Sequence, residues 1–406
     1  MKKFVSILIA AFLCVPFLSA CTTASNEVLT VWCAKDDEAM IKKMVAEFIK
    51  EKKPDIKDIV VVVSEDDKVE EKIVGSADKT PSAPSEIADV MCVLHNQLGT
   101  LVSKNAFLEI TDQKYIDSIS KNTTPSINAG KSNEKQYGFP SSFETQVLFY
   151  DKSLISEEAV KSLEGILASE VAGGFSFGMN FEDSYYTAGW FFTYGCKLFG
   201  DLGEDETFCD FDSENGVAAM TYLINNRKKF GNFDVGNPER IDAAEMFKEK
   251  KLGAYIGGPW HAEVITKALS GNYGCTKLPS IDGRDMKSFA GFKLYCVNAN
   301  TKNKTVALDL AEWLTNEANQ KNRFDSRNLN PVAKSLANDE DVKVSGTAKA
   351  VLAQGPFAIA MPSIPKMGNF WDPKTTRDFI FDCYNGKIAI SDLQTKLDEL
   401  VADILK

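Results

Sequence analysis

Short apolar runs that alternate with helical patterns are the feature that most restricts the fold. Leu29 to Cys33 is typical of a buried strand, Ile59 to Val63 of a strand rich in β-branched residues, and Val90 to Leu94 of a third strand. Between the first two runs, apolar side chains fall on one helical face: Ile41, Met44, Val45, Phe48 and Ile49. Strand–helix–strand order predicts a mostly parallel sheet covered by helices. The expected fold class is therefore α/β, doubly wound.

Length and charge restrict the function. A chain of 406 residues is too long for one compact core, so we expect at least two lobes. The formal net charge of −11 argues against binding nucleic acid, or an anionic membrane surface, by charge.

The first residues indicate export. Lys2 and Lys3 precede an apolar run from Phe4 to Leu18, and small residues then lead to Cys21. This order is typical of a secretory signal peptide, here 1–20. The cysteine resembles the one that ends a bacterial lipobox, which implies lipid on Cys21 and a tether over 21–26. We expect an extracytoplasmic protein of the bacterial cell envelope, lipid-anchored to the membrane. An ordinary signal peptide with a coincidental cysteine is the alternative.

Residues for catalysis or metal binding are scarce. The chain has only two histidines, His95 and His261, and no G-x-S-x-G or G-x-G-x-x-G motif. We therefore expect no catalytic centre, no metal site and no cofactor. Cys196 and Cys209 flank a short polar segment almost symmetrically and could form a disulfide in an exported protein or remain thiols.

Two further segments carry structural expectations. Periodic apolar residues predict one helix over Val306 to Asn322. Polar residues over Asn338 to Ser345 predict a surface loop.

Residues suited to sugars follow the predicted strands or lie in other loop-like segments. A sugar offers hydroxyl groups at its rim and apolar C–H patches on its ring faces, so its site needs flat aromatics, carboxylates and amides. The candidate residues of these types are Asp36, Asp37, Asn96, Gln97, Glu144, Asp183, Tyr185, Trp260 and Trp371. Ligands of α/β sheets gather beyond the carboxyl ends of strands, where several of these segments are expected.

Several motifs, in their order, resemble the family 1 extracellular solute-binding proteins. They are Leu29-Thr-Val-Trp32, Gly138-Phe-Pro140, Leu148-Phe-Tyr150-Asp-Lys152, Gly257-Gly-Pro-Trp260, Asn272-Tyr-Gly274 with Leu278-Pro279, and Met361-Pro-Ser-Ile-Pro365 to Phe370-Trp371. The resemblance implies a two-lobed, type II periplasmic-binding-protein-like fold, each lobe a mostly parallel sheet flanked by helices, with a hinge between lobes. It also implies a monomer that binds a maltodextrin-like oligosaccharide between the lobes and delivers it to the permease subunits of an ABC transporter.

Lobes and residue roles carry over from that resemblance. The N-terminal lobe would comprise 27–142 with 293–338, and the C-terminal lobe 143–292 with 339–406. The aromatic residues that would form a stacking wall are Trp260, Trp371 and Tyr185. The residues that would contact hydroxyl groups are Glu144, Asp183, Asp36, Asn96 and, by a looser match, Lys68.

Three residues depart from the family pattern on the N-terminal side of the cleft. Asp37 replaces a lysine, Val93 a tryptophan and Gln97 an arginine, so this wall has a different polarity. The sequence therefore leaves open a ligand other than a maltodextrin, such as another neutral sugar or a polyol. A sugar phosphate is disfavoured, because Asp36 and Asp37 would repel it.

An enzyme is the competing functional class. Glu144 and Asp183 are two carboxylates expected in one cleft, which a glycoside hydrolase also requires.

Overall fold

The computed structural model describes residues 27–75, 80–83, 86–201 and 203–406. The predicted signal peptide, the tether and Cys21 lie outside these ranges. The β-strands are β1 (Val28–Cys33), β2 (Asp58–Val63), β3 (Val90–Leu94), β4 (Lys131–Ser132), β5 (Lys135–Gln136), β6 (Gly138–Thr145), β7 (Val147–Asp151), β8 (Phe175–Met179), β9 (Phe230–Asn232), β10 (Leu252–Gly257), β11 (Tyr273–Thr276), β12 (Ser280–Ile281), β13 (Arg284–Asp285), β14 (Ser288–Val297) and β15 (Ala358–Ala360).

Two larger sheets organise the chain. The first has the order β15-β14-β3-β1-β2, with β6 also paired to β14. Strand β1 runs parallel to both β2 and β3, as the sequence predicts, whereas β14 is antiparallel to β3 and β6. The second sheet has the order β11-β7-β10-β8-β9, and its β10, β8 and β9 are parallel.

Helices cover both sheets. They are α1 (Glu38–Lys52), α2 (Val69–Val74), α3 (Leu98–Ser103), α4 (Gln113–Ile119), α5 (Thr124–Ala129), α6 (Leu163–Leu167), α7 (Ser184–Thr193), α8 (Glu214–Asn226), α9 (Ala243–Lys248), α10 (Ala262–Ala268), α11 (Lys304–Thr315), α12 (Glu317–Arg327), α13 (Glu340–Val344), α14 (Gly346–Gln354), α15 (Met367–Trp371), α16 (Asp378–Asn385) and α17 (Leu393–Ile404). Four of the five residues predicted for the apolar face of α1 are buried, but Ile49 is exposed.

Two predicted segments are wrong in detail. The helix expected over Val306 to Asn322 is interrupted at Asn316, which leaves helical geometry and caps α12 by accepting a hydrogen bond from the Asn319 N–H at 3.0 Å. The loop expected over Asn338 to Ser345 contains α13, because the Asp339 carboxylate accepts hydrogen bonds from the first backbone N–H groups of that helix.

Two strands cross the predicted lobe boundaries. Both β6 and β14 continue through them, at 142/143 and 292/293, without a break. Only Gln146 separates β6, in the first sheet, from β7, in the second. The polypeptide therefore passes between the sheets along extended backbone.

Within the described ranges, we find no helix both long and apolar enough to span a bilayer. Cys196 and Cys209 are both buried free thiols, so the structure favours the unbridged alternative.

Candidate functional site

Four aromatic rings form a row in which each contacts the next. The centroids of Trp260 and Tyr185 are 6.1 Å apart, those of Tyr185 and Phe289 6.2 Å, and those of Phe289 and Trp371 5.7 Å. Phe289 is fully buried, whereas the other three rings are only partly buried and retain accessible surface. The structure thus brings together the three aromatic residues that the sequence singled out.

Different elements supply the rings. Tyr185 lies in the first turn of α7, Trp260 in a 3₁₀ turn after β10, and Trp371 at the last position of α15. Asp183 caps α7, because its Oδ1 accepts a hydrogen bond from the Tyr185 N–H at 2.8 Å. Burial raises the pKa of the Asp183 carboxyl. The cap therefore fixes the backbone of Tyr185 and leaves a carboxyl group beside the aromatic row.

A largely buried cluster of charges, which we call the polar wall, comprises Asp66, Lys293 and Glu144. Lys293 Nζ lies 2.9 Å from Asp66 Oδ2 and 3.6 Å from Glu144 Oε1. Burial by itself would lower the pKa of Lys293, but nearby carboxylates raise it well above its usual range, so this lysine is an ammonium ion. The pKa of Glu144 is raised because burial outweighs the attraction of Lys293.

The two walls are close enough to influence each other. Burial raises the pKa of the Tyr185 hydroxyl, and the negative charges of Glu144 and Asp183 raise it further. Glu144 comes from β6 and Asp183 from the second sheet's side, so groups from both sheets converge on one region.

Several polar atoms in this region have no hydrogen-bond partner among the described residues. They include Asp66 Oδ2, Glu144 Oε1, Asn96 Oδ1 and Trp371 Nε1, all of them buried, although the two carboxylate oxygens lie within ion-pair distance of Lys293. Unpaired buried polar atoms are costly and uncommon in native proteins. A polar ligand between the walls would supply the missing partners.

Asp36 and Asp37 are bound by an arginine that the sequence analysis missed. The Arg327 guanidinium, at the end of α12, donates to Asp37 Oδ1 and to Asp36 Oδ2, both at 3.1 Å. Asp37 is buried by this contact, whereas the Asp36 side chain is 74% exposed. Arg327 therefore partly neutralises the charges of these two carboxylates.

Two other predicted residues have different surroundings. Gln97 is buried, and its amide is occupied by backbone groups: Oε1 accepts from the Glu70 N–H and Nε2 donates to the Asp66 carbonyl. Its observed role is to fix the segment that carries Asp66. Lys68 is half exposed and lies 3.4 Å from Asp67, so it remains only a predicted ligand contact.

The hydroxyl of Ser363, in the segment before α15, is hydrogen-bonded to the backbone that follows β3. Ser363 Oγ accepts a hydrogen bond from the Gly99 N–H at 3.0 Å and donates to the His95 carbonyl at 2.9 Å. The His95 ring is buried and accepts from the Phe292 N–H, and burial lowers its pKa to about 4. This histidine is thus a neutral packing residue in this structure.

Comparison with known proteins identifies the family. The sequence model of the family described as "Bacterial extracellular solute-binding protein" matches residues 43–350. The chain belongs to this solute-binding family. The fold prediction is confirmed as well, because the maltodextrin-binding protein of L. casei BL23 superposes with a TM-score of 0.81 at 26% identity, over 94% of this chain and 99% of that one.

Curated relatives of this solute-binding protein include two from Bacillus subtilis (strain 168). A galactooligosaccharide-binding protein is 35% identical, over 87% of this chain and 84% of its own length. A maltodextrin-binding protein is 27% identical, over 95% of this chain and 94% of its own length.

Four of the site residues were missed by the sequence analysis, Phe289, Asp66, Lys293 and Arg327, although two of them carried a signal. Lys293 is the only charged residue in the strand Ser288–Val297, and Asp66 follows the predicted strand that ends at Val63. Arg327 had no comparable signal, because it is one of several charged residues in the polar helix α12.

Proposed function

We propose that this protein is the lipid-anchored, oligosaccharide-binding component of an ABC importer, which holds its ligand between the aromatic row and the polar wall. The observation that supports the proposal best is the convergence of accessible rings with buried, unpartnered polar atoms. Rings match the C–H faces of sugars, and carboxylates and amides match their hydroxyl groups. Membership of the family supports delivery to a permease, and the lipobox-like sequence supports the lipid on Cys21.

The charges favour a neutral ligand. The ammonium of Lys293, in the polar wall, is already paired with Asp66, and Arg327 is already paired with the carboxylates of Asp36 and Asp37. Neither cation is left to bind a phosphate or a carboxylate of a ligand. A neutral oligosaccharide needs only hydrogen bonds and stacking, which the site offers.

The relatives suggest two ligand classes, galactooligosaccharides and maltodextrins. The first has the stronger support, because the relative that binds it is more similar in sequence, at 35% against 27%. The altered positions Asp37, Val93 and Gln97 also distinguish the polar side from the maltodextrin pattern.

A ligand panel tests the function. At a ligand concentration 100 times Kd, binding to the folded state alone adds about 2.7 kcal/mol to the free energy of unfolding and raises Tm. We expect thermal shifts with galactobiose and galactotetraose, smaller shifts with maltose and maltotetraose, and none with galactose 1-phosphate. A panel in which no oligosaccharide shifts Tm would refute the proposed function.

The glycoside hydrolase alternative has less support. Asp183 Oδ1 is engaged in a helix cap and Glu144 lies beside Lys293, so neither carboxylate is placed as an uncommitted acid–base pair. We expect no released monosaccharide after prolonged incubation with the same oligosaccharides. Sugar release that disappears in Glu144→Gln would instead establish an enzyme.

A further inference from the structure

One edge of the first sheet carries an uncharged run of β-branched residues. Strand β2 is the last strand on its side of that sheet, and among the described residues it is paired only with β1. Its five consecutive residues Ile59 to Val63 are all β-branched. An edge strand leaves a row of backbone N–H and C=O groups open to a further strand.

Apolar side chains are exposed along this edge. Val60, Val62 and Val63 are 41%, 40% and 39% exposed. Natural proteins usually protect an edge strand with a proline, a lysine or a β-bulge. The run Ile59 to Val63 contains no proline and no charge, and β2 keeps a single register with β1 along its whole length. The edge is therefore suited to pairing with another strand.

The hydrogen bonds of β2 show which backbone groups are available. Ser64, directly after the strand, donates its N–H to the Cys33 carbonyl at 2.9 Å, on the β1 side. The backbone groups of successive residues point alternately to the two sides of a strand. The N–H and C=O groups of Val61 and Val63 therefore point away from β1.

We propose that β2 pairs with β2 of a second copy of this chain, antiparallel and centred on Val61, so that the two first sheets become continuous across a two-fold axis. In this register Val61 faces Val61 of the second copy, Val60 faces Val62, and Lys57 faces Glu65. Such pairing requires no ligand, so it is independent of the proposed function. It differs from the monomer that the family resemblance implies.

Charge complementarity supports this register. Lys57 and Glu65 are both exposed, and the Glu65 carboxylate accepts only the backbone N–H of Lys35 among the described residues. A centre at Val61 places this lysine and this glutamate opposite each other at both ends of the paired strands. A centre shifted by one residue to Val62 would instead place Asp58 opposite Asp66, and like charges directly opposite are destabilising.

Sedimentation velocity measures the association. The chain from residue 21 onward retains every described residue, and Cys21→Ser prevents both attachment of lipid and a disulfide between copies. We expect a reversible dimer whose fraction rises with protein concentration. A chain that stays monomeric at every concentration up to the millimolar range would overturn the pairing, and would leave this edge to a strand of a different protein.

Like charges on the edge test the assignment to β2. Val60→Lys with Val62→Lys, and separately Val60→Glu with Val62→Glu, each place like charges directly opposite, so the dimer Kd should rise at least about tenfold in either variant alone. Mixing the two variants places lysine opposite glutamate, and a mixed dimer should form. Val344→Lys with Leu352→Lys is the matched control, because it adds the same charge at exposed apolar residues outside β2, and its dimer Kd should be unchanged.

An unchanged dimer Kd in either like-charge variant that circular dichroism shows to be folded, or the absence of a mixed dimer, would overturn the assignment to β2. Hydrogen–deuterium exchange of the chain with its native β2 covers the case in which these variants do not fold. Exchange of the Val61 and Val63 amides should slow as the protein concentration and the dimer fraction rise. Exchange of these two amides that stays constant while the dimer forms would also refute the pairing.

Discussion

Replacing Trp371 by alanine should weaken binding of the preferred oligosaccharide by about 1–3 kcal/mol, roughly 5- to 150-fold in Kd. The variant loses an accessible ring of the aromatic row, and it also loses Nε1, which is buried without a partner among the described residues. Isothermal titration calorimetry would give the change in Kd directly.

Two variants make that result specific. Trp371→Phe keeps a ring but removes Nε1, so its loss should be smaller than that of alanine. Trp313→Ala removes a tryptophan that packs on Phe48 in another core, and it should lower Tm without changing Kd. Unchanged affinity in Trp371→Ala would show that this ring is not a sugar platform.

Replacing Lys293 by methionine should lower the free energy of unfolding by about 3–5 kcal/mol at neutral pH, the usual cost of removing one partner from a buried ion pair. The methionine fills similar space but leaves Asp66 and Glu144 buried without their cation. Urea denaturation of the protein without ligand measures this loss. Lys68→Met is the matched control: Lys68 is half exposed beside Asp67, so its loss should cost at most about 1 kcal/mol.

The cost of Lys293→Met should shrink as the pH falls. Burial already raises the pKa of Glu144 in the folded protein, and removing Lys293 removes an interaction that lowers it. For an acid whose folded-state pKa is raised, the free energy of unfolding is unaffected below its ordinary pKa of about 4.3. It falls as the pH rises from that value to the folded-state pKa, and the loss is complete above the latter. Equal free energies of unfolding for Lys293→Met and Lys68→Met at neutral pH would contradict the assigned role of Lys293.

The aromatic half of the site could be predicted from sequence better than the polar half. Tyr185 and the two tryptophans occur in distinctive motifs, and the resemblance of these motifs to the family gave the three residues their predicted role. The partners of Asp36 and Asp37 could not be predicted, because Arg327 lies about 290 residues away and only the tertiary fold brings it there. Gln97 was predicted to contact the ligand because its amide is suited to sugar hydroxyl groups. In the structure that amide is hydrogen-bonded to backbone groups instead.

For the fold, too, the features that local sequence patterns determine could be predicted, and those that depend on other contacts could not. Local patterns correctly predicted the positions of β1, β2 and β3 and their parallel pairing, but not burial, because three of the valines of β2 are exposed. Local patterns did not predict the interruption at Asn316, where a capping hydrogen bond overrides a continuous helical period. The lobe boundaries at 142/143 and 292/293 remain a prediction.

Strand β14 sets the distance between the aromatic row and the polar wall. Phe289, in the aromatic row, and Lys293, in the polar wall, lie four residues apart on this one strand, before its irregularity between Lys293 and Leu294. Four residues of extended chain span about 13 Å and place both side chains on the same face. Inserting one residue between them would turn the ammonium to the opposite face of the sheet, so the number of residues from Phe289 to Lys293 fixes the position of the polar wall relative to the aromatic row.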